Sequence, residues 1–192
     1  MLKGCCLMDL TEKQLSTKRV FDGYVVKLSV DDVLLPDGSA SKREVIRHSG
    51  AVCVAPITKD GNIIMVRQFR YAVNKELLEL PAGRIDPSEP PETTGIRELR
   101  EETGYSVSKL HYIGRLYPTP GYSDEVIWLY SCVVSPEDMV STDMDEGEFV
   151  ETEILPLQKA IDMVMEDGIF DSKTQILLLR INEEIRRGKI QL

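Results

Sequence analysis

The sequence predicts an α/β chain that opens with a small antiparallel sheet. Up to about residue 70, short apolar runs alternate as strands do and are separated by proline- and glycine-containing turns. A charged segment led by proline, 91–103, has helical character and stops at Gly104. Beyond residue 155, two segments carry apolar residues at helical spacing.

In chain order, Arg19 to Leu35 alternates through Val20, Tyr24, Val26, Leu28, Val30 and Val33. Pro36-Asp37-Gly38-Ser39 supplies a turn, and Ser41 to His48 returns as a second strand. Residues 1–46 thus form an amino-terminal sheet with too little core to stand alone, so it must pack on residues 47–192 or on a partner subunit. Ala51 to Ile57 and Asn62 to Phe69 form a hairpin around Lys59-Asp60-Gly61. Pro87, Pro90 and Pro91 keep the approach to the first helix extended, and its inward side is expected at Ile96, Leu99 and Thr103. Strands are expected at Tyr105 to Tyr117, Val126 to Val134 and Glu151 to Leu155. Helices are expected at Pro156 to Glu166 and Ser172 to Arg187. Pro118 to Glu125 and the acidic stretch Ser135 to Glu148 are expected as loops.

The net charge of −9 argues against a nucleic-acid surface and against attraction to an anionic membrane. No run approaches membrane-spanning length, and the apolar stretch of the opening MLKGCCLMDL is too short for a signal peptide. Cys5, Cys6, Cys53 and Cys132 show no C-x-x-C spacing, and with two His residues in the chain a zinc site is not expected. Reduced thiols and a cytoplasmic setting are the expectation.

Chemistry concentrates between Gly83 and Tyr105, GRIDPSEPPETTGIRELREETGY. On a helix, Glu98 and Glu101 stand at i and i+3, and Glu98 and Glu102 at i and i+4, so the three carboxylates share one face. Like charges so placed repel by roughly 0.2–0.5 kcal/mol per pair. A hard divalent cation offsets that repulsion, and all-oxygen donors suit Mg²⁺, with Mn²⁺ as a substitute, rather than Zn²⁺.

This segment resembles the box of the Nudix hydrolase family, G-x5-E-x7-R-E-U-x-E-E-x-G-U, where U is a bulky aliphatic residue. Gly83, Glu89, Arg97, Glu98, Leu99, Glu101, Glu102 and Gly104 all match, and Tyr105 departs only in packing character. The resemblance implies an α/β/α sandwich with a mixed sheet between helices. It further implies that Glu98, Glu101, Glu102 and the Ala82 carbonyl bind the metal ions. Arg97 and Glu89 are implied as a salt-bridged support for those ligands.

RQFRYA followed by ELPAG resembles the ADP-ribose pyrophosphatase branch of that family, as does Pro120, 15 residues after Tyr105. The branch implies hydrolysis of ADP-ribose to AMP and ribose 5-phosphate. The box itself reads only diphosphate and metals, so ADP-glucose or GDP-mannose is the alternative substrate, and a non-catalytic ADP-ribose sensor is the alternative from another class. It implies that Arg70 approaches the diphosphate or terminal ribose, where a bidentate fork is suited, with Arg67 as a second candidate. A loop glutamate is implied as the proton acceptor: Glu148 matches best, with Glu146 and Glu151 as rivals. Homodimers of the branch bind the base between subunits, so Phe21 and Tyr24 are candidates for stacking and Arg43 and Glu44 for lining the same pocket.

Overall fold

The computed structural model describes residues 8–142 and 149–192. The expected residues Glu146 and Glu148, like Cys5 and Cys6, lie outside the described residues. Contacts divide the chain into two units: residues up to His48 together with Thr119–Glu125, and Ser49–Pro118 with Val126–Leu192.

The first unit is a three-stranded antiparallel sheet, β1 (Lys13–Asp22), β2 (Lys27–Leu34) and β3 (Ala40–Ile46), with β2 central. The single strand expected across Arg19 to Leu35 is in fact the end of β1 and the whole of β2. A tight reversal divides them, in which Gly23 N–H donates to the Val26 carbonyl at 2.9 Å. Alternation continues through this reversal, which is why the pattern hid it. In β2, Ser29, Asp31 and Val33 are buried, and buried Asp31 is satisfied by the Thr17 hydroxyl and by Arg47. β1, by contrast, is exposed along its whole length. Thr119–Glu125 packs on the end of β3, where Ile46 N–H donates to the Tyr122 carbonyl at 2.8 Å and His48 N–H to the Asp124 carboxylate at 2.8 Å.

The second unit is a mixed sheet. Strands β4 (Ala51–Thr58), β5 (Asn62–Arg70), β8 (His111–Leu116), β9 (Ile127–Val134) and β10 (Val150–Pro156) run in the order β10-β5-β4-β9-β8. The short β6 (Lys75–Glu79) pairs with β5 and β7 (Ala82–Arg84) with β4. β4 and β9 are parallel, while β5 pairs antiparallel with β4 and β10. β4 serves both faces of the sheet. Cys53, Ala55 and Ile57 face a core shared with α2 (Leu157–Met165) and α3 (Ser172–Arg186), and Val52 and Val54 face α1 (Pro91–Thr103) through Leu99. Two-sided burial explains why this strand is apolar from Ala51 to Ile57. Cys53 and Cys132 are free buried thiols; burial pushes both up, Cys132 to about 12.

Three further features differ from expectation. The strand expected from Tyr105 is confined to His111–Leu116, because Tyr105 and Leu110 are drawn into the α1-side core before the chain turns into the sheet. The inward face of α1 is Thr94, Gly95, Leu99, Glu102 and Thr103, with Ile96 only partly buried: the helix also turns carboxylate-bearing residues inward, toward β7. A third difference is an addition: β6 and β7, for which no element was expected, are strands that pair with β5 and β4. Among the described residues, no helix is long and apolar enough to cross a membrane.

Candidate active site

Residues 82–104 form a strand, a proline-rich loop and a helix, and each part places a charged group. β7 pairs antiparallel with β4, Val52 opposite Gly83 and Cys53 opposite Ala82, which fixes the Ala82 backbone beside the sheet. Pro90 caps α1 without a side-chain bond, and Pro91 occupies the first turn, where its missing N–H costs nothing. Gly104 ends the helix in the left-handed conformation, φ 76°, donating its N–H to the Arg100 carbonyl at 2.9 Å.

Arg97 is the hub of this segment. Its Nη1 lies 2.8 Å from Glu98 and 2.8 Å from Glu101, and its Nη2 donates to Glu89 at 3.2 Å. The Thr94 hydroxyl donates to the same Glu89 carboxylate at 2.8 Å. Burial pushes the Glu89 carboxyl up, but Arg97 and Thr94 outweigh it and hold the group below the usual carboxylate range. Burial also works against the Arg97 charge, and Glu89, Glu98 and Glu101 together reverse that effect and raise its pKa. Glu102 is buried and accepts the Ala82 N–H at 3.1 Å.

Gly83 shows why no larger residue serves at this point. A Cβ there would stand 1.9 Å from the Glu98 carboxyl carbon, so the carboxylate occupies the space that a side chain would fill. Ala82, Glu98, Glu101 and Glu102 present only oxygen donors, which fits a hard divalent cation. Among the described residues, no three acidic, His or Cys side chains form a preassembled cation cage. These carboxylates are instead engaged with Arg97 and with the Ala82 N–H, partners that a divalent ion outcompetes in charge.

Arg70, at the end of β5, binds Glu79 with its fork: Nε to Oε1 at 2.6 Å and Nη2 to Oε2 at 2.7 Å. Glu79 is 1% exposed and also accepts from Lys173 at 2.5 Å, while Lys173 pairs with Asp171 at 3.0 Å. Burial pushes the Glu79 carboxyl up, yet Arg70 and Lys173 outweigh it and leave it lowered. The Arg70 pKa is raised, first by the Glu79 hydrogen bond, with smaller contributions from Asp171 and Glu102.

The structure thus gathers Ala82, Glu89, Arg97, Glu98, Glu101 and Glu102, and sets Arg70 on Glu79 at the end of β5. Arg67 pairs with Glu153 across β5 and β10, and Glu151, exposed on β10, is opposite Arg67 in register. Phe21 and Tyr24 are exposed, at the end of β1 and in the turn after it. Arg43 is paired with Glu12 through both Nε and Nη2, and Glu44 is exposed on β3. Pro120 is exposed in the loop that packs on β3. Glu79 and Lys173 were not singled out from the sequence. Glu79 stands within the quoted ELPAG run, but Lys173 is 94 residues away and carries no local signal.

The NUDIX domain family model matches residues 46–178. The chain is 39% identical over 185 residues to the ADP-ribose pyrophosphatase of Bacillus subtilis (strain 168), covering 95% of this chain and 100% of that protein. It is 41% identical over 177 residues to the methanol dehydrogenase activator of Bacillus methanolicus, covering 91% and 96%. It is 33% identical over 144 residues to the GDP-mannose pyrophosphatase of Yersinia pestis (strain Pestoides F), covering 71% and 72%. The crystal structure of an ADP compounds hydrolase superposes with a TM-score of 0.77 at 20% identity, covering 93% of this chain and 97% of that one, and thereby supports the fold.

Proposed function

The chain belongs to the Nudix family, and from that membership we propose that it hydrolyses the diphosphate of ADP-ribose to AMP and ribose 5-phosphate with Mg²⁺. The observation that carries the reading is the complete box in its folded form, with Glu98 against Gly83, Glu102 at the Ala82 backbone and Arg97 braced by Glu89. Similarity along the whole length of a relative named for ADP-ribose supports the substrate.

Glu98, Glu101, Glu102 and the Ala82 carbonyl would hold Mg²⁺, or Mn²⁺ in its place, which supplies charge neutralisation for the diphosphate and acidity for the attacking water. Arg97 and Glu89 keep the box carboxylates on one side of α1. Arg70 meets the diphosphate with the edge of its guanidinium turned away from Glu79. A loop carboxylate takes the proton of the water as it attacks phosphorus. Glu148 is the proposed acceptor, and Glu151, exposed at the start of β10, is the rival among the described residues. Exposed Phe21 and Tyr24 are the proposed stacking groups for the base, with Arg43 and Glu44 proposed to line the same pocket and β1 as the surface through which two copies pair. A cytoplasmic setting keeps the thiols reduced.

The test is release of AMP from ADP-ribose with Mg²⁺, run beside ADP-glucose and GDP-mannose, with an EDTA control. Metal-dependent release that is fastest from ADP-ribose supports the proposal. Preference for GDP-mannose would keep the box chemistry and overturn the substrate. Tight binding of ADP-ribose without turnover of any compound would make the protein a sensor.

A further inference from the structure

We propose that Lys173 is a positioning residue for the contact between Arg70 and the substrate diphosphate, acting through the buried carboxylate of Glu79. The inference rests on the reading of Arg70 as a diphosphate-binding residue.

The geometry is a chain of three side chains from three elements. Arg70 at the end of β5 and Lys173 in the first turn of α3 converge on Glu79 at the end of β6. Arg70 Nη2 and Lys173 Nζ meet the same oxygen, Glu79 Oε2, at 2.7 and 2.5 Å. The Lys173 side chain is 12% exposed and that of Glu79 1%, so the pair is shielded, whereas Arg70 is 41% exposed and reaches the surface. Neighbouring backbone ties this point to the box: Leu80 N–H donates to the Thr174 hydroxyl at 2.9 Å, and the Pro81 carbonyl accepts from Val54 N–H at 2.9 Å. The next residue is Ala82.

Charge gives the arrangement its consequence. Arg70 and Lys173 are balanced by Glu79 and Asp171, so two cations meet two carboxylates. Removing the ammonium leaves Arg70 as one cation against two carboxylates. Glu79, deprived of one partner, would also draw Arg70 inward, since a buried carboxylate tolerates little loss of compensation. Lys173 thus holds the carboxylate that aims the fork. A structural brace alone would alter stability without selecting KM.

The experiment is steady-state hydrolysis of ADP-ribose at saturating Mg²⁺ by the full chain and its Lys173→Met, Lys173→Arg, Arg70→Met and Arg70→Met/Lys173→Met variants, with circular dichroism and urea melts as fold controls. Lys173→Met is expected to raise KM about tenfold, with kcat changed by no more than about twofold. Lys173→Arg is expected to restore most of the loss, and adding Lys173→Met to Arg70→Met is expected to leave KM where Arg70→Met put it. If Lys173→Met does not fold, Lys173→Gln carries the same expectation, because it keeps a donor for Glu79 and removes only the charge. An unchanged KM in Lys173→Met, or an equal rise with and without Arg70, would overturn the proposal. An unchanged KM in Arg70→Met would overturn the reading of Arg70 and this inference with it. Absence of turnover in the unmodified chain would overturn the hydrolase reading instead.

Discussion

Arg97 is one cation braced by Glu89, Glu98 and Glu101, with Asp86 more distant, whereas Glu79 is one buried carboxylate shared by two cations. The first cluster is partly open, with side chains 14–29% exposed, and carries a surplus of negative charge even before Glu102 is counted. The second is anchored at 1% exposure and lets Arg70 emerge from it. A surplus of carboxylates suits a divalent cation, and a braced guanidinium suits an anionic diphosphate. A chain of net charge −9 can therefore take an anionic substrate, because sign is set locally by such clusters rather than by the total.

The largest effect is expected from breaking the acidic cluster where it touches the backbone. Glu102→Gln keeps an acceptor for the Ala82 N–H but removes the charge, so kcat should fall by about a thousandfold, roughly 4 kcal/mol of barrier, while the urea midpoint stays near that of the parent. A near-normal rate would remove Glu102 from the metal set. In the other cluster, Glu79→Ala leaves Lys173 buried without its closest partner. It should cost about 3 kcal/mol of unfolding free energy, read from urea denaturation, at the low end for a broken buried pair. A loss below about 1 kcal/mol would show that Lys173 is satisfied by Asp171 alone.

The proposed support residue Arg97 should matter less than the proposed ligands. Arg97→Gln is expected to weaken activity by about 10- to 100-fold, with part of the loss recovered by raising Mg²⁺, since the carboxylates remain but lose their brace. No recovery with metal would assign Arg97 a direct part in the reaction.

The smallest effect is on acid stability. The Glu79 carboxyl is held below its usual value, so the folded state binds its proton less readily than the unfolded chain does. Its contribution is complete above the unfolded value of about 4.3 and is lost as pH falls through the lower folded value. Glu79→Gln should therefore show a flatter decline in urea midpoint below about pH 4.3 than the parent; parallel declines would contradict the assignment.

Legibility in the sequence followed the same division. The acidic cluster is contained within Gly83–Gly104, so fixed spacing on one helix announced it, and the helix bounds Pro91–Thr103 are those expected. The hairpin of β4 and β5 and helices α2 and α3 were likewise visible, because apolar periodicity is local. The cluster around Glu79 was not: Glu79 and Lys173 meet only after β6 docks on β5 and α3 on the sheet, and nothing near Lys173 marks it. Thr119–Glu125 lies between β8 and β9 in sequence yet packs with the first unit, a placement set by hydrogen bonds to Ile46 and His48. The reversal at Gly23–Val26 was missed because alternation reads the same in one long strand as in two short ones.

The most direct test of this division of labour is a Mn²⁺ titration followed by electron paramagnetic resonance in the parent chain, Glu102→Gln and Arg70→Met. The expected result is a loss of at least about tenfold in Mn²⁺ affinity for Glu102→Gln, with Arg70→Met binding the ion as the parent does. Parent-like Mn²⁺ binding by Glu102→Gln, or its loss in Arg70→Met, would contradict the assignment of metal to the acidic cluster and diphosphate to Arg70.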